Sequence, residues 1–267
     1  LFRVIRREQD EPARRPPPEG THRLSVVVPA YREADRIAAT VSRIRMELAA
    51  VVEPADLEVV VADDGSDDGT ADAAVAAGAD VVVRLDHNRG KGAALREGVR
   101  AASGRTVVFT DADLAYAPSQ VAGFLEAIES GHDMVVGSRR HAGSTAVVGA
   151  GRLRQAGGRL VNLATHALLL GQYRDTQCGL KAFRSDVARR LFAASTLNGF
   201  AFDVELFHLA ERWRLTLAEV PVEVENSERT TVRALSDGLR LMTDLVRIRQ
   251  QARQGRYPAP DRSVDRG

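Results

Sequence analysis

The sequence predicts an α/β fold, a mostly parallel central sheet flanked by helices on both faces. Three observations predict it. Short β-branched runs recur through the first half of the chain, stretches of helical length separate them, and acidic residues collect where the runs end. Strands buried on both faces read as continuous apolar runs, and parallel neighbours need a crossover between them.

Residues 1–23 read as a flexible tail, because "RRPPPEG" (14–20) interrupts any helix and charges are dense on both sides of it. From Leu24 the pattern changes. "LSVVV" (24–28), "LEVVVA" (57–62), "DVVVRL" (80–85), "TVVFT" (106–110) and "DMVVG" (133–137) read as strands. Helices are expected over 33–50, 68–77, 91–102 and 118–129. The second half is less regular: 153–170, 186–193, 202–213 and 233–248 read as helical, and "LTLAEVPVEV" (215–224) as a strand. This places one folded domain over 24–250 and a second flexible tail over 251–267.

A chain of 267 residues has room for a large core. Hydrophobic and charged contents of 44% and 27% suit an ordinary globular protein, and a net charge of +1 gives no argument for a nucleic-acid partner. The single cysteine, Cys178, excludes an intrachain disulfide. No run approaches the roughly 18–20 apolar residues of a membrane span, and no signal-peptide core opens the sequence. These features point to a cytoplasmic protein, one able to touch the membrane from that side.

Ligands of open parallel sheets bind beyond the carboxyl ends of the strands. Three such ends carry acids: "PAYREAD" (29–35), "ADDGSDDGT" (62–70) and "TDAD" (110–113). Carboxylates clustered at a sheet edge need a cation or donors. Asp111 and Asp113, two apart in an extended chain, would point the same way. Oxygen ligands at that spacing suit Mg²⁺ or Mn²⁺, ions that usually also hold substrate phosphates. Ala112 between them is small enough for a ligand to approach the backbone. A plain turn with an Asp cap before Pro118 is the alternative. In the second acidic run, Asp67 or Asp68 can cap the next helix. Turn chemistry does not require Asp63, which could accept from a base N–H or a ribose hydroxyl. "HNRGKGAALREG" (87–98) lacks P-loop spacing; it is either a loop with a helix start or a turn that brings Lys91 to a nucleotide phosphate.

Taken together and in order, "VVVPAYREADRI", "VVVADDGSDDGT", "NRGKGAALREG", "FTDADLA" and "VVGSR" resemble the family-2 inverting glycosyltransferases of the GT-A fold. "DTQCGLKAFRSDVARRLF" (175–192), "GFAFDVELFHLAER" (199–212) and "LAEVPVEV" (217–224) resemble the branch that glycosylates polyprenyl phosphates, the dolichyl-phosphate β-glucosyltransferase type in particular. The resemblance covers about residues 24–250. It implies a nucleotide-sugar donor, a polyprenyl-phosphate acceptor and a divalent cation. By that resemblance Pro29, Ala30, Tyr31 and Glu33 match the first nucleotide-binding loop, and Asp63 and Asp64 the acids that hold base and ribose. Lys91 matches a base- or ribose-side residue, and Asp111 and Asp113 the aspartates of the metal and diphosphate. Arg139 and Arg154 match arginines that grip the acceptor phosphate, and Arg229 lies near the basic residue of a "GSK" segment, here replaced by "NSERTT" (226–231). Ala115 stands where mannosyl enzymes carry glutamine, which favours the glucosyl branch and UDP-glucose over GDP-mannose. Gly158 replaces their acceptor-site serine.

A lipid acceptor gives two apolar stripes a use. Leu160, Leu163, Ala164, Ala167 and Leu168 share one helical face. Leu235, Leu239, Met242 and Val246 share another, with Arg233, Arg240 and Arg247 opposite, as in a helix that faces either the core or a membrane surface. An inactive GT-A module that binds a partner is the non-enzymatic alternative, disfavoured by the intact Asp63, Lys91, Asp111 and Asp113.

Overall fold

The computed structural model describes residues 15–138, 178–199, 201–225 and 234–258. The strands are β1 (His22–Ala30), β2 (Leu57–Asp63), β3 (Val81–Arg84), β4 (Gly104–Phe109), β5 (Met134–Ser138), β6 (Lys181–Arg184) and β7 (Leu217–Pro221). They form one sheet in the order β3-β2-β1-β4-β6-β5-β7. β6 runs antiparallel to β4 and β5, and the other pairings are parallel. The helices are α1 (Ile37–Leu48), α2 (Thr70–Ala76), α3 (Lys91–Ala101), α4 (Val121–Glu129), α5 (Ser185–Ala194), α6 (Phe202–Arg212) and α7 (Ala234–Arg253).

Alternation along the central strands divides the core in two. Val26 and Val28 of β1 pack with Ile37, Val41, Ile44 and Leu48, the inward stripe of α1, and with Phe124 and Leu125 of α4. Val27 points the other way, into a cluster of Leu95, Val99, Phe183, Phe192, Phe202, Phe207, Leu245 and Ile248. Both faces of the sheet are therefore dry, which is why the strands read as unbroken apolar runs. Phe109 and Phe183 stack across β4 and β6 with centroids 6.0 Å apart.

The structure departs from the sequence reading in four places. β6 was not expected. The first strand begins at His22, and Arg15 and Pro16 before it are tied to the domain: Arg15 pairs with Asp133, and Arg184 Nη2 donates to Pro16 O at 3.0 Å. At the other end, the described part of the expected tail is packed on the domain, since α7 runs to Arg253 and Tyr257 is 2% exposed. On α7 the described Leu245 and Ile248 face the core, whereas Val246 of the expected stripe is 49% exposed; the side chains of Leu235, Leu239 and Met242 lie outside the described ones. Among the described residues no helix is long and apolar enough to cross a membrane.

Candidate active site

The loops that leave β1, β2 and β4 meet at one sheet edge. Pro29 and Ala30 are buried inside β1, so they contribute backbone there; Ala30 O accepts from Asp64 N at 2.8 Å. The chain then turns through Arg32, a non-glycine residue at φ +56, which is held by its neighbours. Its N–H donates to Ser66 Oγ at 2.9 Å, and its guanidinium grips Asp67 at 3.0 and 2.9 Å. Glu33 N donates to Thr70 Oγ1 at 2.9 Å and Ala34 N to Asp68 Oδ2 at 3.2 Å. Asp68 also accepts from Thr70 N at 3.1 Å, so it does serve the start of α2. Glu33 itself pairs with Arg36 at 2.8 Å. These bonds lace two loops together and leave the Tyr31 ring 41% exposed.

Asp63 and Asp64 separate in role. Asp63 is fully buried; Oδ1 accepts from Ser66 N at 3.0 Å, and Oδ2 has no hydrogen-bond partner, with Arg84 Nε 3.7 Å away. A buried acceptor left open at a strand end is suited to a ligand N–H. Asp64 spends both oxygens on the chain, accepting from Arg89 N at 2.8 Å and Gly90 N at 2.7 Å. These bonds clamp the loop that carries Lys91.

Asp111 and Asp113 do converge, but not as an extended pair. β4 ends at Phe109, and Leu114 N donates back to Asp111 O at 3.1 Å, closing a turn with Leu114 at φ +45. Nor is Ala112 open to a ligand: it is 6% exposed, and its carbonyl accepts from Thr40 Oγ1 at 2.6 Å. Burial and the neighbouring Asp111 charge hold the Asp113 carboxyl above its ordinary range. Lys91, at the start of α3, donates from Nζ to Asp111 Oδ1. Burial works against its charge, yet Asp111, Asp203 and Asp113 outweigh that and raise its pKa. Lys91 therefore lies on the Asp111 side of the site.

Two crowded carboxylates, one of them short of positive charge, fit a divalent cation that takes one or two protein carboxylates and completes its shell with phosphate and water. Gly179 makes room for one of the two carboxylates, since a Cβ there would collide with Asp111 Oδ2. Among the described residues no group of three or more His, Cys, Asp or Glu side chains could hold a metal alone. Any ion there depends on its ligand for the remaining bonds.

The sequence model of glycosyl transferase family 2 matches residues 25–192, which span all of these loops. The chain belongs to that family. Its relatives include proteins named dolichyl-phosphate β-glucosyltransferase. The Drosophila melanogaster protein is 36% identical over 225 residues, covering 78% of this chain and 69% of the relative. The Homo sapiens protein is 32% identical over 248 residues, covering 86% and 75%. Solved structures share the fold. Mannosyl-3-phosphoglycerate synthase from Rubrobacter xylanophilus superposes with TM-score 0.64 at 23% identity, over 88% of this chain and 76% of that one. Glucosyl-3-phosphoglycerate synthase from Mycobacterium tuberculosis, crystallised with Mn²⁺, UDP-glucose and phosphoglyceric acid, gives 0.63 at 24% identity, over 90% and 81%. The GT-A architecture expected of a family-2 member is thus the one observed.

Of the residues the family resemblance singled out, Arg139, Arg154, Gly158 and Arg229 lie outside the described residues, as does the stripe from Leu160 to Leu168. Three residues beside Asp111 and Lys91 were given no role in the sequence reading. Gly179 gives room at Asp111. Lys181, fully buried on β6, donates to Asp203 Oδ1 at 2.7 Å and to Cys178 O at 2.6 Å. Asp203 opens α6, and its charge reaches Lys91. An acid in the first turn of a helix was a legible signal, but one that a plain helix cap also produces.

Proposed function

We propose that this chain moves glucose from UDP-glucose to a polyprenyl phosphate of the dolichyl type, with inversion, giving a β-linked lipid-phosphate sugar. The observation that carries the reading is the Asp111–Asp113 pair beside Lys91 at the carboxyl edge of a family-2 sheet, in a chain whose relatives are named for that reaction.

A phosphate monoester, with a second pKa of about 6, is ionised at neutral pH and needs no protein base. One of its oxygens attacks the anomeric carbon in line; the bond to UDP breaks, and its electron pair leaves on the diphosphate. The protein's tasks are to orient two anions and to balance the charge that departs. Mg²⁺ or Mn²⁺ held by Asp111 and Asp113 would supply most of that balance. Lys91 adds a fixed positive charge beside them. Asp63, whose Oδ2 has no hydrogen-bond partner, is assigned to the imide N–H of uracil on resemblance, and the exposed ring of Tyr31 lies on the loop beside it. Arg139 and Arg154 are assigned to the acceptor phosphate and Arg229 to the donor, on resemblance. Work on a lipid implies contact with the cytoplasmic face of a membrane, and the exposed Val246 of α7 is in keeping with that.

A donor panel tests the reading. UDP-glucose, GDP-mannose and UDP-GlcNAc are each offered with a short polyprenyl phosphate and Mg²⁺. UDP-glucose is expected to turn over fastest, and EDTA to stop it. Faster turnover of GDP-mannose would replace the glucosyl assignment with a mannosyl one.

A further inference from the structure

The aim of Lys91 is set by a segment far from it in sequence. Gly90 and Gly92 flank it and lie against residues 195–199, which have no regular structure. Gly92 N donates to Asn198 O at 2.8 Å. A Cβ on Gly92 would lie 2.6 Å from Leu197 O, and one on Gly90 2.5 Å from Asn198 O. The backbone on both sides of Lys91 is therefore packed directly on residues 197–198.

Those residues have no strand ladder, so the N–H groups of Thr196 and Leu197 depend on a side chain. Glu205, fully buried on α6, provides it. Oε2 accepts from Thr196 N at 2.9 Å and Leu197 N at 2.8 Å. Oε1 accepts from Thr196 Oγ1 at 2.8 Å and from the Tyr257 hydroxyl at 2.7 Å. A buried carboxylate is tolerable only with such a set of donors. Arg96 holds the segment from its other side, donating to Asn198 Oδ1 at 3.1 Å and Leu197 O at 3.3 Å. Tyr257 is the distant member, beyond the end of α7 and 2% exposed. Burial and its bond to Glu205 push its phenol well above the ordinary value, so it remains a donor wherever the protein is folded.

We propose that Tyr257 and Glu205 are positioning residues for the donor site. Through residues 196–198 they hold the Gly90–Gly92 turn, and with it the reach of Lys91 to Asp111. The inference rests on the reading of Lys91 as a diphosphate-side residue.

Tyr257→Phe keeps the ring and removes one O–H. UDP affinity with Mn²⁺ is measured in the wild type, Tyr257→Phe, Lys91→Met and the double variant, and amide exchange is followed at Gly92 and Leu197. Tyr257→Phe should weaken UDP binding by about two- to tenfold, the range of one hydrogen bond. It should change nothing in the Lys91→Met background, and both amides should exchange faster. Glu205→Gln should act in the same direction. An equal loss in both backgrounds, no loss at all, or unchanged exchange at Gly92 would overturn the proposal. A wild-type protein that binds no UDP overturns the donor reading instead. Exchange then decides the latch alone: faster at Gly92 supports it, unchanged refutes it.

Discussion

The ammonium of Lys91, at the first residue of α3, donates to Asp111 Oδ1 just past the end of β4. Two crossovers of the sheet are brought together at that bond. It holds the Asp111 carboxylate in one place while Asp113, two residues on, is left with a raised pKa. Lys91→Met should therefore lower transfer by about 10- to 100-fold, the scale of a hydrogen bond between charged groups. Lys91→Arg should recover part of it. Steady-state rates with UDP-glucose decide this, and an unchanged rate for Lys91→Met would remove Lys91 from the site.

The Asp113 carboxyl sets stability against function. Its folded pKa is raised by burial and by Asp111, so the folded state binds its proton more tightly than the unfolded chain does. Stability of the metal-free protein is then greatest below the ordinary Asp range and falls as pH rises through the raised value. At neutral pH the ionised group is a net cost. Asp113→Asn should raise the Tm of the metal-free protein by about 1–4 °C. It should abolish transfer, and Mn²⁺ with UDP should no longer shift the Tm as it does in the wild type. A lower Tm in EDTA, or a retained Mn²⁺ shift, would contradict the assignment.

Gly179 is tested by adding one methyl group. Alanine there would force the Asp111 carboxylate aside, because the new Cβ occupies its Oδ2 position. The backbone conformation of Gly179 is not left-handed, so alanine adds no backbone strain. Gly179→Ala is expected to fold and to lose at least about tenfold in transfer, as misplaced catalytic groups do. Wild-type rates would mean that Asp111 has slack the site does not need.

How much of this could be read beforehand follows from where each signal lies. The runs of valine in β1, β2 and β4 announce themselves because both faces of the sheet are covered. β6 does not. Its residues are Lys181, Ala182, Phe183 and Arg184, and two charged side chains enter a sheet only because Asp203 and Asp186 meet them. The partner of Lys181 lies 22 residues away and leaves no local trace, whereas Asp186 is only two residues from Arg184. Asp111 and Asp113 were legible as a pair, but the turn at Leu114 that brings them together was not. That Asp64 also clamps a loop could not be read, since its partner Arg89 lies 25 residues later. Tyr257, in a polar stretch beside Pro258, gave no sign that it is buried.

The Lys181–Asp203 pair offers the last test. Lys181 is fully buried, and Asp203 is held above the ordinary carboxylate range by burial even with Lys181 and Lys91 close to it. Removing the lysine leaves a buried charge with its main partner gone. Lys181→Met should destabilise the protein by about 3–5 kcal/mol, the cost of breaking a buried pair on one side. The direction with pH follows from Asp203. Its folded pKa rises further when the lysine goes, so the variant is most stable at low pH and loses stability as pH rises through that value. Urea midpoints should show a larger deficit at about pH 8 than at about pH 5. Adding Asp203→Leu should restore most of the loss, since an apolar pair of similar volume replaces the ions. The double variant should still bind UDP less well than the wild type, because the Asp203 charge that supports Lys91 is absent. Equal deficits at both pH values, or a double variant as unstable as the single one, would show that the pair matters for packing and not for charge.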